Sequence, residues 1–218
     1  MPLDYCLVYP WPGPLIWTIL YISDYYCTLA AARMIKQGVD KHIGLEKGYE
    51  LTPYYQPDIA RLKKVSGRFI LILALFNLFL CATWYLGGIA QIPQAYEFFL
   101  GALILIELTV HVRHLHNLGS FLYYRGSHGV SGKLTFAHWL ELRLSALDIL
   151  AFGILWLILF AITFRWLFAG GAFKCFATAH KHWQLSNRDR CSKRNAEDSD
   201  ETEIHGESKE LTRTETVV

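Results

Sequence analysis

Glu107, His111 and His114 stand four and then three residues apart in the segment ELTVHVRHLHNLGS, residues 107–120. On an α-helix, at about 100° per residue, these side chains fall within about 60° of one another. Asn117 extends the stripe, Arg113 points well away from it toward the interface, and His116 faces the opposite side. Two imidazoles in line with a carboxylate allow two kinds of chemistry. Histidine titrates near neutral pH, and its two ring nitrogens let it pass a proton on. The same trio, completed by Asp24 or Asp148, also offers the donors that zinc or ferrous iron takes. The helical metal motifs themselves are absent. The di-iron pattern repeats Glu-x-x-His on two helices, whereas Glu-x-x-x-His-x-x-His occurs here once, and no HExxH is present.

A second stripe has the same rhythm. Glu141, Ser145 and Asp148 are spaced by four and three, with His138 one turn earlier. Counted from the basic ends of their segments, Asp24, Asn77, His111, His114 and Asp148 all lie roughly 14–20 Å along a helix. This agreement predicts a shared polar layer, with Glu107 deeper and Glu141 nearer the basic end. An acid at the centre of a bilayer costs about 2.5–3.5 kcal/mol even on the mild insertion scale. These acids are therefore expected to face inward and find partners.

The elements that must position such a layer are apolar and long. Residues 69–90 and 149–164 carry no charge, and about 20 apolar helical residues cross a bilayer core. Backbone groups in lipid must be bonded internally, so these runs are read as spanning helices. Strict alternation, the signature of an outer-membrane barrel, does not occur. The predicted fold class is all-α: a polytopic membrane protein of the inner or plasma membrane type, built as a four-helix transmembrane bundle. Its spans are expected at about residues 12–34, 68–90, 95–117 and 137–168 of a domain covering 1–184. Gly170 and Gly171 are read as the stop of the last span. Residues 185–218 have no aromatic side chain and few apolar ones, and are expected to form a disordered polar tail.

Charge constrains the rest. A net charge of +2 over 218 residues gives no argument for a nucleic-acid partner, and none is expected. Five scattered cysteines give neither a disulfide framework nor a zinc spacing. The first apolar stretch has no basic residue before it and is interrupted by Asp24, so a cleaved signal peptide is not expected. Basic residues concentrate between the first and second spans (Arg33, Lys36, Lys41, Lys47, Arg61, Lys63, Lys64, Arg68) and around the third loop (Arg113, Arg125, Lys133, Arg143). That bias places both loops in the cytoplasm and both termini on the other side.

Within the first loop, Thr52-Pro53 suggests a helix start, and Tyr54, Tyr55, Ile59, Leu62 and Val65 could either rest on a membrane surface or pack on the bundle. Tyr123, Tyr124, Arg125, His128 and Lys133 form a basic segment able to meet a phosphate or lipid headgroup.

Three functional expectations follow. The first is ion or proton translocation along Asp24, Asn77, Glu107, His111, His114, Glu141 and Asp148, with the lipid bilayer as partner and a homo-oligomer needed to enclose a pore. The second is a metal-dependent membrane enzyme holding zinc or iron through Glu107, His111, His114 and Asp148. The third is a polar core that only sets helix packing, through bonds worth about 0.6 kcal/mol each.

Overall fold

The computed structural model describes residues 6–125 and 132–214, with side chains as far as residue 195. It is mostly helical. The long helices are α1 (Pro12–Lys36), α3 (Gly67–Ile89), α4 (Pro93–Arg125), α5 (His138–Thr163) and α6 (Trp166–Thr214), with a short α2 (Gln56–Ala60) in the first loop. Of these, α1, α3, α4 and α5 are long and apolar enough to cross a membrane.

Local sequence sets the helix boundaries. Pro12 and Pro14 lie in the first turn of α1, where a missing N–H costs nothing, and Arg33 and Lys36 complement the dipole at its end. Ser66 caps α3, its Oγ accepting from the backbone N–H of Arg68 at 3.2 Å and of Phe69 at 3.4 Å. The turn after α3 closes when Ile92 N–H reaches the Gly87 carbonyl at 2.8 Å, and Pro93 then opens α4. With 33 residues, α4 runs through residue 117 and on to Arg125. At 1.5 Å per residue it is about 50 Å long, more than a bilayer core is thick.

The segment expected as one span over 137–168 is divided. α5 ends at Phe164, which adopts left-handed φ 52° while its N–H bonds the Phe160 carbonyl at 2.7 Å. α6 then returns antiparallel along α5, with Phe168 stacked on Trp156, Cys175 packed against Ile149, and Ser186 Oγ donating to the Trp139 carbonyl at 2.6 Å. The bundle therefore has a further long helix beyond the four expected. Gly170 and Gly171 do not terminate a helix. They let α6 close on α4, since a Cβ on Gly170 would strike the Phe98 carbonyl and one on Gly171 the Leu105 side chain. Lys174, His180, Lys181 and His182 interrupt the apolar run of α6 and hide it as a packed helix.

The tail expected to be disordered from residue 185 continues α6 as helix through Thr214. Its first turns are tied down by Arg143 donating to Asn187 Oδ1 (2.8 Å) and by the ion pairs Lys47–Asp189 (2.9 Å) and Lys193–Glu46 (2.7 Å). At the other end of the bundle, Trp84 Nε1 donates to the Leu7 carbonyl at 3.1 Å. Leu7 and Lys193 thus lie at opposite ends of the bundle.

The first loop folds back onto the bundle. β1 (Ile43–Leu45) pairs in parallel with β2 (Leu134–Phe136), Ile43 facing Leu134 and Leu45 facing Phe136. This joins the loop to the segment that enters α5. The Thr52 side chain does not cap a helix; its backbone N–H is held by Glu50 Oε1 at 2.6 Å, and α2 begins at Gln56. Ile59 is buried and Tyr55 packs against the core, so the loop packs on the bundle, although Tyr54 and Val65 stay exposed. Of the basic segment around Arg125, His128 lies outside the described residues.

α4 stands between two cores. Trp17, Tyr21, Leu80, Tyr96 and Leu100 fill the side shared by α1, α3 and α4, and Ile106, Ile149, Cys175 and Ala179 fill the side shared with α5 and α6. The outward faces of α3 (Leu71, Leu75, Leu78, Leu86) and α5 (Ile154, Leu155, Leu157, Ile158, Ile162) are exposed and apolar.

Candidate proton-relay site

The buried stripe of α1 brings Ser23, Asp24 and Thr28 against the histidine face of α4. The folded-back loop adds Tyr49. Asp24 Oδ1 accepts from His114 Nε2 at 2.8 Å, and Thr28 Oγ1 lies 3.2 Å from the same nitrogen. Nε2 faces a carboxylate and so carries a proton; in the neutral ring Nδ1 is then left to accept. In that tautomer the Tyr49 hydroxyl donates to Nδ1 at 3.0 Å, and the Tyr49 oxygen accepts from Asn117 Nδ2 at 3.1 Å. The result is a directional chain, Asn117 to Tyr49 to His114 to Asp24, joining two helices and a loop. His114 is 7% exposed, so its ring is shielded from competing solvent.

His111 sits one turn deeper. Its Nδ1 donates to the Glu107 carbonyl at 2.7 Å, and its Nε2 makes a close contact with Ser23 Oγ. Ser23 suits either protonation state of the ring. With a neutral imidazole its hydroxyl donates to Nε2. With a charged one, Nε2 donates to Oγ and the hydroxyl turns to the Leu20 carbonyl, 3.0 Å away.

A cleft roomy enough for water adjoins Asp24 and Thr28. It is lined further by Glu50 and by the rings of Tyr21, Tyr25, Tyr55 and Phe69, the hydroxyls of Tyr21 and Tyr55 lying 2.6 Å apart. Burial pushes the Tyr49 hydroxyl up to about 12 and raises the Glu50 carboxyl, so Tyr49 keeps its proton at neutral pH.

Of the residues predicted from sequence, the structure assembles Asp24, His111 and His114, with Glu107 on the same interface. It separates the others. Asn77 Nδ2 donates to Thr18 Oγ1 at 2.9 Å and to the Leu73 carbonyl at 2.9 Å, tying α3 to α1. Asp148 does not face inward. Its side chain is 60% exposed and lies 3.7 Å from Arg113 Nε, so Arg113 has a partner on α5 instead of standing alone at the interface. Glu141 lies on the α5 side, and Ser145 Oγ meets His182 Nδ1 of α6 at 2.8 Å. The expected single layer is therefore two polar regions separated by α4, because α6 inserts beside the stripe of α5.

The metal set Glu107, His111, His114 and Asp148 is not brought together. Among the described residues no group of three His, Cys, Asp or Glu side chains is arranged to hold a metal ion. Nδ1 and Nε2 of both histidines are committed to hydrogen bonds within the protein.

Sequence reasoning missed Ser23, Thr28, Tyr49 and Glu50. Thr28, four residues after Asp24, was within reach of the same helical argument. Tyr49 and Glu50 had no signal, because the loop has no period to place them.

The fold and site define a helical protein with four apolar helices of membrane-crossing length around a histidine–carboxylate core. No protein-family model, curated protein or solved structure matches the chain.

Proposed function

We propose that the protein lies in a bilayer through its four apolar helices and exchanges protons at His114 and His111, as part of proton or ion translocation. One observation carries this reading: the directional chain Asn117–Tyr49–His114–Asp24, whose imidazole stands between a hydroxyl and a carboxylate. A network that only fixed helix register would need no second imidazole with a hydroxyl that serves either protonation state. Lipid is the solvent that suits the exposed apolar faces of α3 and α5, which in water would form large adhesive patches. With the basic first loop in the cytoplasm, the relay is reached from the cytoplasmic face, where the described end of α6 also lies.

The test is proton flux into liposomes loaded with a pH-sensitive dye, driven by a potassium gradient with valinomycin. The wild-type protein is expected to acidify or alkalinise the lumen according to the imposed potential. Asp24→Asn and His114→Ala are expected to abolish that response. A wild-type protein without flux, or variants with full flux, would overturn the reading.

A further inference from the structure

Beyond Ser186, which bonds the Trp139 carbonyl near the start of α5, α6 projects past the helix it packs on. Asp189 and Lys193 lie four residues apart on this projection and so share a face. That face meets two adjacent residues of the first loop with matching charges. Lys47 Nζ pairs with Asp189 Oδ2 at 2.9 Å, and Lys193 Nζ with Glu46 Oε1 at 2.7 Å. Glu46 Oε2 also accepts from the His138 backbone N–H at 3.1 Å, where α5 begins, and β1 pairs with β2 just before it. The loop up to Glu46 is thus anchored to the bundle independently of α6. What α6 adds is a grip on Lys47.

The chain then turns sharply. Gly48 takes φ 82°, a conformation open to glycine, and its N–H bonds the Leu45 carbonyl at 3.3 Å. Tyr49 and Glu50 follow at once. Tyr49 is the hydroxyl that meets His114, and Glu50 lines the cleft beside Asp24. Gln56 Nε2 bonds the carbonyls of both Lys47 (3.4 Å) and Glu50 (3.1 Å), which joins the gripped residue to the roof of the relay. Both ion pairs are open to solvent, the four side chains being 29–52% exposed. Exposed pairs contribute little each and weaken with salt. They also have an alternative. An acid four residues before a lysine is a favourable spacing for a pair within one helix, so Asp189 and Lys193 compensate each other when the loop lets go. The roof is therefore held by contacts that are specific in charge and readily exchanged.

We propose that the end of α6 is a charge latch on the roof of the relay. With Lys47–Asp189 and Lys193–Glu46 made, residues 47–50 lie over His114. When those pairs give way to Asp189–Lys193 within α6, Tyr49 lifts from the imidazole and the cleft at Asp24 opens to solvent. The control of proton exchange by this movement rests on the reading above; the latch itself does not.

Tetranitromethane nitration of the full chain in nanodiscs, read by peptide mass spectrometry, reports the position of the roof. Tyr54, 43% exposed, is the internal reference. Asp189→Lys sets like charges against Lys47 and Lys193, and is expected to raise Tyr49 nitration several-fold relative to Tyr54. Adding Lys47→Asp restores a pair of opposite charge and is expected to bring the rate back. In the wild type, raising KCl from about 0.1 M to about 1 M shortens the screening length from about 10 Å to about 3 Å, and Tyr49 nitration is expected to rise with it. A Tyr49 rate that is unchanged in Asp189→Lys, or indifferent to salt, would overturn the proposal. So would a rate that stays raised in the double variant, which reports general loosening instead of charge pairing. A rate that follows the charge pattern in a protein without proton flux would keep the latch and sink the proton-exchange reading alone.

Discussion

The two sides of α4 carry similar residues and do different things with them. On the α1 side, His114 is buried and each of its nitrogens is bonded, one to a carboxylate and one to a hydroxyl. On the α5 side, Asp148 is exposed and loosely paired with Arg113, and Ser145 holds His182 in a single contact. Spacing of four and three is common to both stripes. The difference lies in what covers them. The first is roofed by a loop bearing Tyr49, and the second is covered by α6, which lays an amphipathic face along it. The same helical rhythm thus builds a connected network where a hydroxyl and an acid arrive from elsewhere, and a packing contact where they do not.

This contrast breaks most visibly at His114. His114→Ala leaves the Asp24 carboxylate and the Tyr49 hydroxyl without their partner, and is expected to cost about 2–4 kcal/mol of stability by thermal unfolding. Tyr49→Phe removes one hydroxyl from the chain and should cost about 1–2 kcal/mol, with flux reduced.

Its pH dependence sharpens the point. The folded-state value of Tyr49 is raised from 10.0 to about 12, mainly by burial. Its contribution to stability is therefore complete below pH 10 and lost as pH rises from 10 toward about 12. Unfolding measured across that window should fall less steeply in Tyr49→Phe than in the wild type. Glu50 is raised in the same sense by burial, so its favourable share exists below the ordinary carboxylate range and is lost above it. Glu50→Gln is expected to stabilise the protein at pH 7, with the gain shrinking as pH falls through the raised folded-state value toward 4.5.

On the other side of α4 the effects should be smaller. Ser145→Ala strands the His182 ring nitrogen and should cost about 1 kcal/mol, with flux unchanged. Asp148→Asn affects an exposed pair at 3.7 Å and is expected to change stability by no more than about 0.5 kcal/mol. A loss of flux in Asp148→Asn equal to that in Asp24→Asn would erase the distinction between the two regions.

The sequence made the apolar helices and the histidine stripe legible for physical reasons. Uncharged runs of bilayer length have few alternatives, and Glu107, His111 and His114 share a face by geometry alone. Asp24 was legible from its depth. Depth was misleading for Asn77 and Asp148, because distance along a helix does not say which way a side chain points, and rotation is set by packing. α6 escaped notice because Lys174, His180, Lys181 and His182 interrupt an apolar face that only its contact with α4 and α5 reveals. Tyr49 escaped because a loop fixed by a three-residue parallel strand pair has no sequence period.

The most direct test of the relay is the 15N spectrum of the His114 ring in bilayer-reconstituted protein. The account predicts a neutral tautomer protonated at Nε2, with Nδ1 accepting a hydrogen bond, whose Nδ1 signal moves in Tyr49→Phe and whose Nε2 signal moves in Asp24→Asn. A ring protonated at Nδ1, or signals indifferent to both substitutions, would contradict it.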